Sequence, residues 1–541
     1  MKAAPWLFFA GIKCDGDNCM GVYLNPGSEK FEISRKSKIY IDKSGIIVKL
    51  NSFYNTEDRF VCVSRPRRFG KSMTANMISA YYDRTVDGNN IFSDLIVADK
   101  DDSFRNINSA DVIFINMQEF LSRSGDIYEL LDNLKKSVLW DIFKEYNKVN
   151  YFNKSDFARV FEDVYAYSGI KFVIIIDEWD CILREYKDDK DAQKIYLDFL
   201  RDFLKDKAYI GLAYMTGILP IKKYGTHSAL NMFSEYSMLN AVPLDSYMGF
   251  TEDEVNELCS EYGMMLEEVQ SWYNGYHLKN VGDIYSPRSV VQCMKTGIFD
   301  DYWNKTESFE ALKVYIDMNY KGLKDAVIEL MAGGKVRINT GTFTNDMTTF
   351  SGYEDVLTLL VHLGYLGYDF DTKQVFIPNR EVMMEFASAI SASDDWTIIA
   401  DSIKKSDQLL MDTWNMDEMA VAKAIEDAHF ETSILQYNNE NSLACVISLA
   451  YYAARQYYTV VREYPSGKGF ADLVFIPRPK YSDKPALIVE LKNNKTAEGA
   501  LQQIKDKKYS YGLDEYKDNT LLVGLNYDMA TKEHQCFIER L

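Results

Sequence analysis

Between about Ile39 and Gly217, short apolar runs alternate with stretches whose apolar residues recur at helical spacing, the layout of a parallel sheet flanked by helices. Four runs predict strands: Phe60-Val61-Cys62-Val63, Val112-Ile113-Phe114-Ile115, Phe172 to Ile176, and Ile210 to Met215. Their near-continuous hydrophobicity predicts burial on both faces. From about 245 to 390 the pattern turns mostly helical, and Thr251 followed by Glu252, Asp253 and Glu254 marks a helix start. Within that region, Val356 to Asp369 and then Val375-Phe376-Ile377 predict a helix and a hairpin, compatible with a winged-helix module or a simple helical lid. The polar stretch Ser391 to Asp395 is the best interdomain break, with helices to about Phe430 and a last module beyond. The expected partition is 1–240, 241–395 and 396–541.

In the last module, Pro485 to Lys492 predicts a strand whose period of two puts Glu490 and Lys492 on one face and Leu487, Val489 and Leu491 on the other. Asp472 opens an apolar run, Leu473 to Ile476, that can pair alongside; Gly467 and Gly469 let the chain turn before it. A helix from about Asn441 carries Leu443, Ile447, Ala450 and Ala454 on one stripe, which puts Glu440 at its start.

The length, 541 residues, exceeds what one core usually serves, and 47% apolar content says folded. No run of eighteen or more uncharged apolar residues occurs, and the opening Lys2 to Ala10 is only weakly like a signal peptide, so a soluble chain without a membrane partner is expected. Eight cysteines without a CxxC pair, and no His or Cys pair beside Cys14 and Cys19, fit reduced thiols in the cytoplasm better than a zinc site. A net charge of −19 argues against a protein coated in nucleic acid. Residues 436–541 carry 14 Lys and Arg against 13 Asp and Glu, so the acidity lies ahead of them and the last module repels phosphate least.

Chemistry enters at two places. Phe69-Gly70-Lys71-Ser72 follows the first strand and precedes a helix, the order in which backbone amides, an ammonium and a hydroxyl meet a nucleotide's phosphates and magnesium. The full motif has glycine where this chain has Arg65, and Arg67 and Arg68 crowd the same turn. Asp177 and Glu178, at the end of the third strand, supply a carboxylate for magnesium and a base for the attacking water. Thr216 ends the next strand, where it either senses the terminal phosphate or is an ordinary strand-end threonine. Four hundred residues on, Asp472, Glu490 and Lys492 offer two carboxylates and a lysine to a metal-activated water, with Glu440 as a third carboxylate for the metal. An exposed edge face carrying a chance E-x-K is the plain alternative.

Tyr40-Ile41-Asp42-Lys43-Ser44, Arg65-Pro66-Arg67-Arg68-Phe69-Gly70-Lys71-Ser72, Ile176-Asp177-Glu178-Trp179-Asp180, Thr216 to Leu219 and Trp272-Tyr273-Asn274-Gly275-Tyr276 together resemble the AAA-ATPase-like family, members of which carry a PD-(D/E)XK nuclease-like domain behind the ATPase. The resemblance runs from about residue 20 to the end. It implies an α/β fold: a P-loop NTPase parallel sheet with helices on both faces, a helical lid with a winged-helix-like part, and a helical linker leading into an α/β nuclease-like domain. It also implies that arginine in place of the first loop glycine is normal, and that Gln503 on the helix Ala500 to Lys505 neighbours the nuclease site. Ser286, before Pro287 and Arg288, departs from the family's usual asparagine in the lid.

The expected function is therefore ATP binding joined to metal-dependent cleavage of nucleic acid, DNA above all, with cleavage gated by ATP. The cofactors implied are ATP and Mg2+, or Mn2+ at the nuclease site. Gly70, Lys71, Ser72, Asp177 and Thr216 would bind nucleotide; Ser72, Asp177, Glu440, Asp472 and Glu490 would hold metal; Glu178, Asp472, Glu490 and Lys492 would be catalytic. The competing reading is a nucleotide-dependent switch or ATPase whose nuclease fold only binds nucleic acid or a protein. The resemblance also allows a homo-oligomer, since AAA-type relatives form rings completed by a neighbour's arginine, though no such arginine is identifiable here.

Overall fold

Strand β1 (Phe60–Ser64) lies between β4 (Ile210–Gly217) and β5 (Ser234–Tyr236), and β3 (Phe172–Asp177) lies between β4 and β2 (Asp111–Asn116), every pair parallel. The computed structural model that shows this describes residues 21–100, 105–221, 230–303, 310–344, 347–431, 440–466, 469–507, 513, 516, 518–528, 530–531 and 533–541, with the course of the chain but not the side chains at 430–431, 440–442 and 466. All residues of β1, β3 and β4 are buried, as their unbroken apolar runs require of a sheet covered on both faces. One face packs on helices Ile127–Glu145, Phe157–Ser168 and Lys190–Leu204, the other on Gly45–Phe53 and Lys71–Tyr82.

The middle of the chain is mostly helical, with two small sheets among the described residues. Strands β6 (Phe250–Thr251), β7 (Tyr276–Leu278) and β8 (Gly282–Tyr285) run in the order β6-β8-β7. Thr251 caps helix Glu252–Tyr262 through a reciprocal pair with Glu254, as its sequence predicts. Strand β9 (Val336–Arg337) follows helix Leu323–Met331, and helix Tyr353–Leu363 leads into the hairpin β10 (Gly367–Asp369) and β11 (Gln374–Phe376). This is the anticipated helix and hairpin, but Asp355 to His362 are all buried. That helix is core here, not a free face for reading a groove.

The last sheet runs β12-β13-β14-β15-β16: β12 (Tyr458–Ser466), β13 (Gly469–Pro477), β14 (Ala486–Asn493), β15 (Thr520–Tyr527), β16 (His534–Arg540). Only β14 and β15 pair in parallel, and helix Ala497–Lys507 makes the crossover that parallel neighbours need. Leu487, Val489 and Leu491 pack against helix Glu440–Ala450, while Ala486 and Ile488 pack under Ala497–Lys507. The predicted alternation of faces along β14 holds, so Glu490 and Lys492 share the face of the crossover helix. Among the described residues no helix is long and apolar enough to cross a membrane, and the six described cysteines are free and buried; Cys14, Cys19 and Gly467 lie outside them.

Candidate functional site

Gly70 precedes helix Lys71–Tyr82 with a left-handed φ of 87°, a conformation that costs a side-chain-bearing residue and lets β1 turn straight into the helix. The helix's first turn, Lys71 to Thr74, lines a cleft of about 1040 Å3. Its other walls include Ile39 to Ile41, Glu178 and Arg184, and Pro287, Arg288 and Val291 of helix Pro287–Thr296. Arg288 is exposed on the cleft wall.

Because β4 lies between β1 and β3, its end stands between the loop and the acidic pair: Thr216 is in register with Val63 on one side and Asp177 on the other. Thr216 is fully buried and donates to Asp177 Oδ1 at 3.3 Å. Ser72 hydrogen-bonds the same carboxylate, whose pKa burial raises while Ser72 and Lys71 pull it back. In this arrangement Thr216 braces Asp177 and does not line the cleft. Lys71 is buried, with Nζ donating to the carbonyls of Arg65 (3.0 Å) and Pro66 (2.9 Å). Burial lowers its pKa against the opposing charges of Glu178, Asp180 and Asp177. Glu178 accepts from Arg184 Nη2 at 2.7 Å. Burial raises its carboxyl, with Lys71 and Arg184 acting against the rise.

The arginines of the loop divide their work. Arg65 is fully buried and donates to the carbonyls of Ser64 and Tyr236, each at 2.9 Å, so it staples β1 to β5 and is not a cleft residue. Arg68 donates to the Trp303 carbonyl and lies over its ring. The neighbours follow suit: Phe69 meets Tyr276 edge-on, Pro66 abuts Gly364, and the Tyr276 hydroxyl donates to the Gly364 carbonyl at 2.6 Å. The loop is thereby packed against the middle of the chain. Tyr302 and Trp303 in turn donate their N–H groups to Glu381, at 2.8 Å each, and Ser289 of the Pro287–Thr296 helix donates to its other oxygen. Lys43 of the Tyr40–Ser44 string donates to Glu254 at 2.6 and 2.7 Å, tying the cleft's outer wall to helix Glu252–Tyr262.

In the last sheet, Asp472 Oδ2 accepts the Leu491 N–H at 2.7 Å, which ties the aspartate to β14 beside Glu490. Lys492 Nζ donates to Glu490 Oε1 at 2.7 Å, and Gln503 of the crossover helix donates to the same oxygen. Glu490 and Lys492 are buried and Asp472 half-buried. Burial, and then the charge of Asp472, lifts the Glu490 carboxyl to about 7, and its Oε2 is buried without a hydrogen-bond partner. Lys492 meets only one oxygen of this crowded acidic pair, and the rise that remains with the orphaned Oε2 is relieved by the further positive charge of a divalent cation. Asp472 and Glu490 are only two such ligands, and no group of three or more His, Cys, Asp or Glu placed to hold a metal occurs among the described residues. Glu440 begins its helix, but its side chain lies outside them.

The sequence pattern gives no role to Arg184 or to the packing of Pro66, Arg68 and Phe69. The i, i+4 spacing of Asp180 and Arg184 is the available signal for the first; nothing local signals the second, whose partners are more than two hundred residues away.

Residues 27–226 match the family model of predicted AAA-ATPases, and residues 438–535 that of the PD-(D/E)XK nuclease superfamily. No curated protein matches the chain. Solved structures that align with it include the Aeropyrum pernix ORC2 protein with ADPNP and ADP, at 10% identity over 68% of this chain and 98% of that one, TM-score 0.30. Cdc6p from Pyrobaculum aerophilum aligns at 9% identity over 67% and 96%, TM-score 0.24.

Proposed function

We propose that this AAA-ATPase-like chain with a C-terminal PD-(D/E)XK nuclease-superfamily domain is a metal-dependent nuclease acting on DNA whose cleavage is gated by ATP. The reading divides the chain at 1–240, 241–395 and 396–541. ATP is the substrate of the first site: Lys71 meets its phosphates, and Ser72 and Asp177 would hold magnesium. Glu178 takes the proton of the attacking water as its oxygen bonds to the γ-phosphorus and the bond to the β,γ-bridging oxygen breaks.

At the second site Asp472 and Glu490 would hold a divalent cation, which when bound supplies positive charge to the attacking water and the scissile phosphate. Lys492 neutralises charge that builds on the phosphate, and Gln503 fixes the Glu490 carboxylate from the helix behind.

The observation that carries the gating is the seat of the phosphate loop. Pro66, Arg68 and Phe69 pack on Gly364, Trp303 and Tyr276. The same middle region meets the nuclease domain, where Glu329 accepts from Arg462 at 2.9 Å and from Cys445, and Arg455 donates to the Met331 carbonyl at 3.0 Å. A loop that shifts with its ligand therefore pushes on the element that carries the nuclease. The test incubates the protein with linear, circular and single-stranded DNA, magnesium or manganese, with and without ATP, beside Lys71→Ala and Asp472→Ala. Cleavage that ATP changes in the wild type but not in Lys71→Ala, and that Asp472→Ala loses, is the expected result. Equal rates with and without ATP remove the gating; DNA binding without cleavage under every metal leaves the binding switch.

A further inference from the structure

Glu178 occupies a backbone conformation that only a determined environment sustains. Its φ is 53°, left-handed for a residue that is not glycine. Two hydrogen bonds fix the chain there: Glu178 N–H to Asp177 Oδ1 at 3.1 Å and Trp179 N–H to the Thr216 carbonyl at 3.0 Å. The side chain is fixed as well. Arg184, from the short helix Cys181–Glu185, holds Glu178 Oε2 at 2.7 Å through Nη2 and lies 3.3 Å from Asp180 Oδ2 through Nε. Asp180 is itself anchored, accepting the N–H groups of Ile218 and Leu219 at 3.1 and 2.8 Å just beyond β4. One guanidinium, its side chain 9% exposed, thus links Glu178 at the cleft wall to Asp180, and through Asp180 to the chain after β4.

We infer that Arg184 is a positioning residue for ATP hydrolysis: its planar fork, braced by Asp180, fixes the Glu178 carboxylate at the cleft where the attacking water is deprotonated. This rests on the reading of Glu178 as the base. A base must stay within hydrogen-bond reach of one water, and a glutamate with three side-chain torsions does not do so unaided. A lysine at 184 keeps one charge but lacks the planar fork whose separate nitrogens reach Glu178 and Asp180 in one fixed geometry, so Arg184→Lys preserves part of the function.

The test measures steady-state ATP hydrolysis and nucleotide affinity for wild type, Arg184→Ala, Arg184→Lys, Glu178→Gln and the double variant Arg184→Ala/Glu178→Gln. Arg184→Ala is expected to lower kcat roughly 10- to 100-fold with KM for ATP and nucleotide affinity within about threefold of wild type. Arg184→Lys recovers part of the loss, and Arg184→Ala costs nothing further in the Glu178→Gln background. If Arg184→Ala weakens ATP binding while kcat holds, or multiplies the loss of Glu178→Gln, the guanidinium acts on nucleotide directly and the inference is overturned. Should Arg184→Ala fail to fold, the Arg184→Lys pair of measurements decides by the same two criteria. A wild type that hydrolyses ATP as fast as Glu178→Gln removes the parent reading of Glu178, and this one with it; wild-type hydrolysis with an unaffected Arg184→Ala removes this one alone.

Discussion

The nucleotide cleft and the acidic site of the last sheet use the same chemical parts, a buried lysine beside carboxylates, in opposite constructions. The cleft gathers residues from Phe31 to Lys295, and its lysine donates to carbonyls of its own loop. The acidic site is drawn from Asp472 to Gln503, and its lysine bonds its carboxylate directly, two positions along one strand. A site closed by several elements can report its occupancy to all of them. One written on a single sheet face is stiff, and a neighbour can control it only by covering or uncovering it.

The sharpest way to break that contrast is to disable one site and watch the other. Asp472→Asn or Glu490→Gln is expected to lower cleavage by roughly a thousandfold, the scale of removing a group that stabilises transition-state charge, with ATP affinity unchanged. A drop in ATP affinity alongside the cleavage defect would mean the last sheet is not autonomous. In the reverse direction, Lys71→Ala removes a buried ammonium from the phosphate site and is expected to weaken nucleotide binding by roughly a hundredfold, the scale of a charge-assisted contact. Fluorescent-nucleotide titration measures it, and retained ATP control of cleavage in that variant would contradict the proposed gating.

The same contrast explains what the chain discloses when read in order. The strands β1 to β4 and β14 stand out because burial on both faces, or strict alternation, leaves an apolar signature within each segment. The acidic site is nearly as open, since Asp472, Glu490 and Lys492 sit on two paired strands. Asp177 and Lys71 are legible because they end strands or begin a helix. Arg65 and Thr216 were readable as residues but not as roles: a buried staple to Tyr236 and a brace on Asp177 depend on β4 and β5 flanking β1, an order no local pattern encodes. The burial of helix Tyr353–Leu363 is likewise tertiary, although its apolar run hints at it.

Gly364 offers a gentler perturbation of the cleft, because it touches the phosphate loop without being part of it. Its φ is 89°, and a Cβ there would stand 2.7 Å from Pro66 Cβ and 3.1 Å from the Trp303 ring. Gly364→Ala therefore strains its own turn and pushes the loop, and we expect ATP affinity to fall about tenfold, the equivalent of about 1.4 kcal/mol of the strain such positions store. Basal cleavage without ATP should stay within about twofold, since no residue of the last sheet moves by necessity. Equal loss of both activities would show the middle region to be one rigid block with the nuclease.

The smallest expected effect separates the two regions by acid. His429 Nδ1 and His534 Nε2 lie 2.9 Å apart and buried, with Tyr527 against both rings. Burial, and then His429, pushes the His534 pKa down to about 4, below the roughly 6.5 of an unfolded histidine. Between those values the unfolded chain binds a proton that the folded sheet refuses, so stability is intact above about pH 6.5 and declines as the pH falls toward 4. At pH 5.5 one unit of that difference is worth about 1.4 kcal/mol. The pair joins helix Glu418–Glu431, which carries His429, to His534 at the start of β16 beside the end of β15, remote in the chain from every residue of the nucleotide cleft. Acidification from pH 7.5 to 5.5 should therefore lower the urea midpoint of the C-terminal region more in wild type than in His534→Gln, whose amide does not titrate. Nucleotide binding, followed in the same samples, should respond identically in the two proteins, because a proton that enters between β16 and the helix beside it has no partner in the phosphate loop.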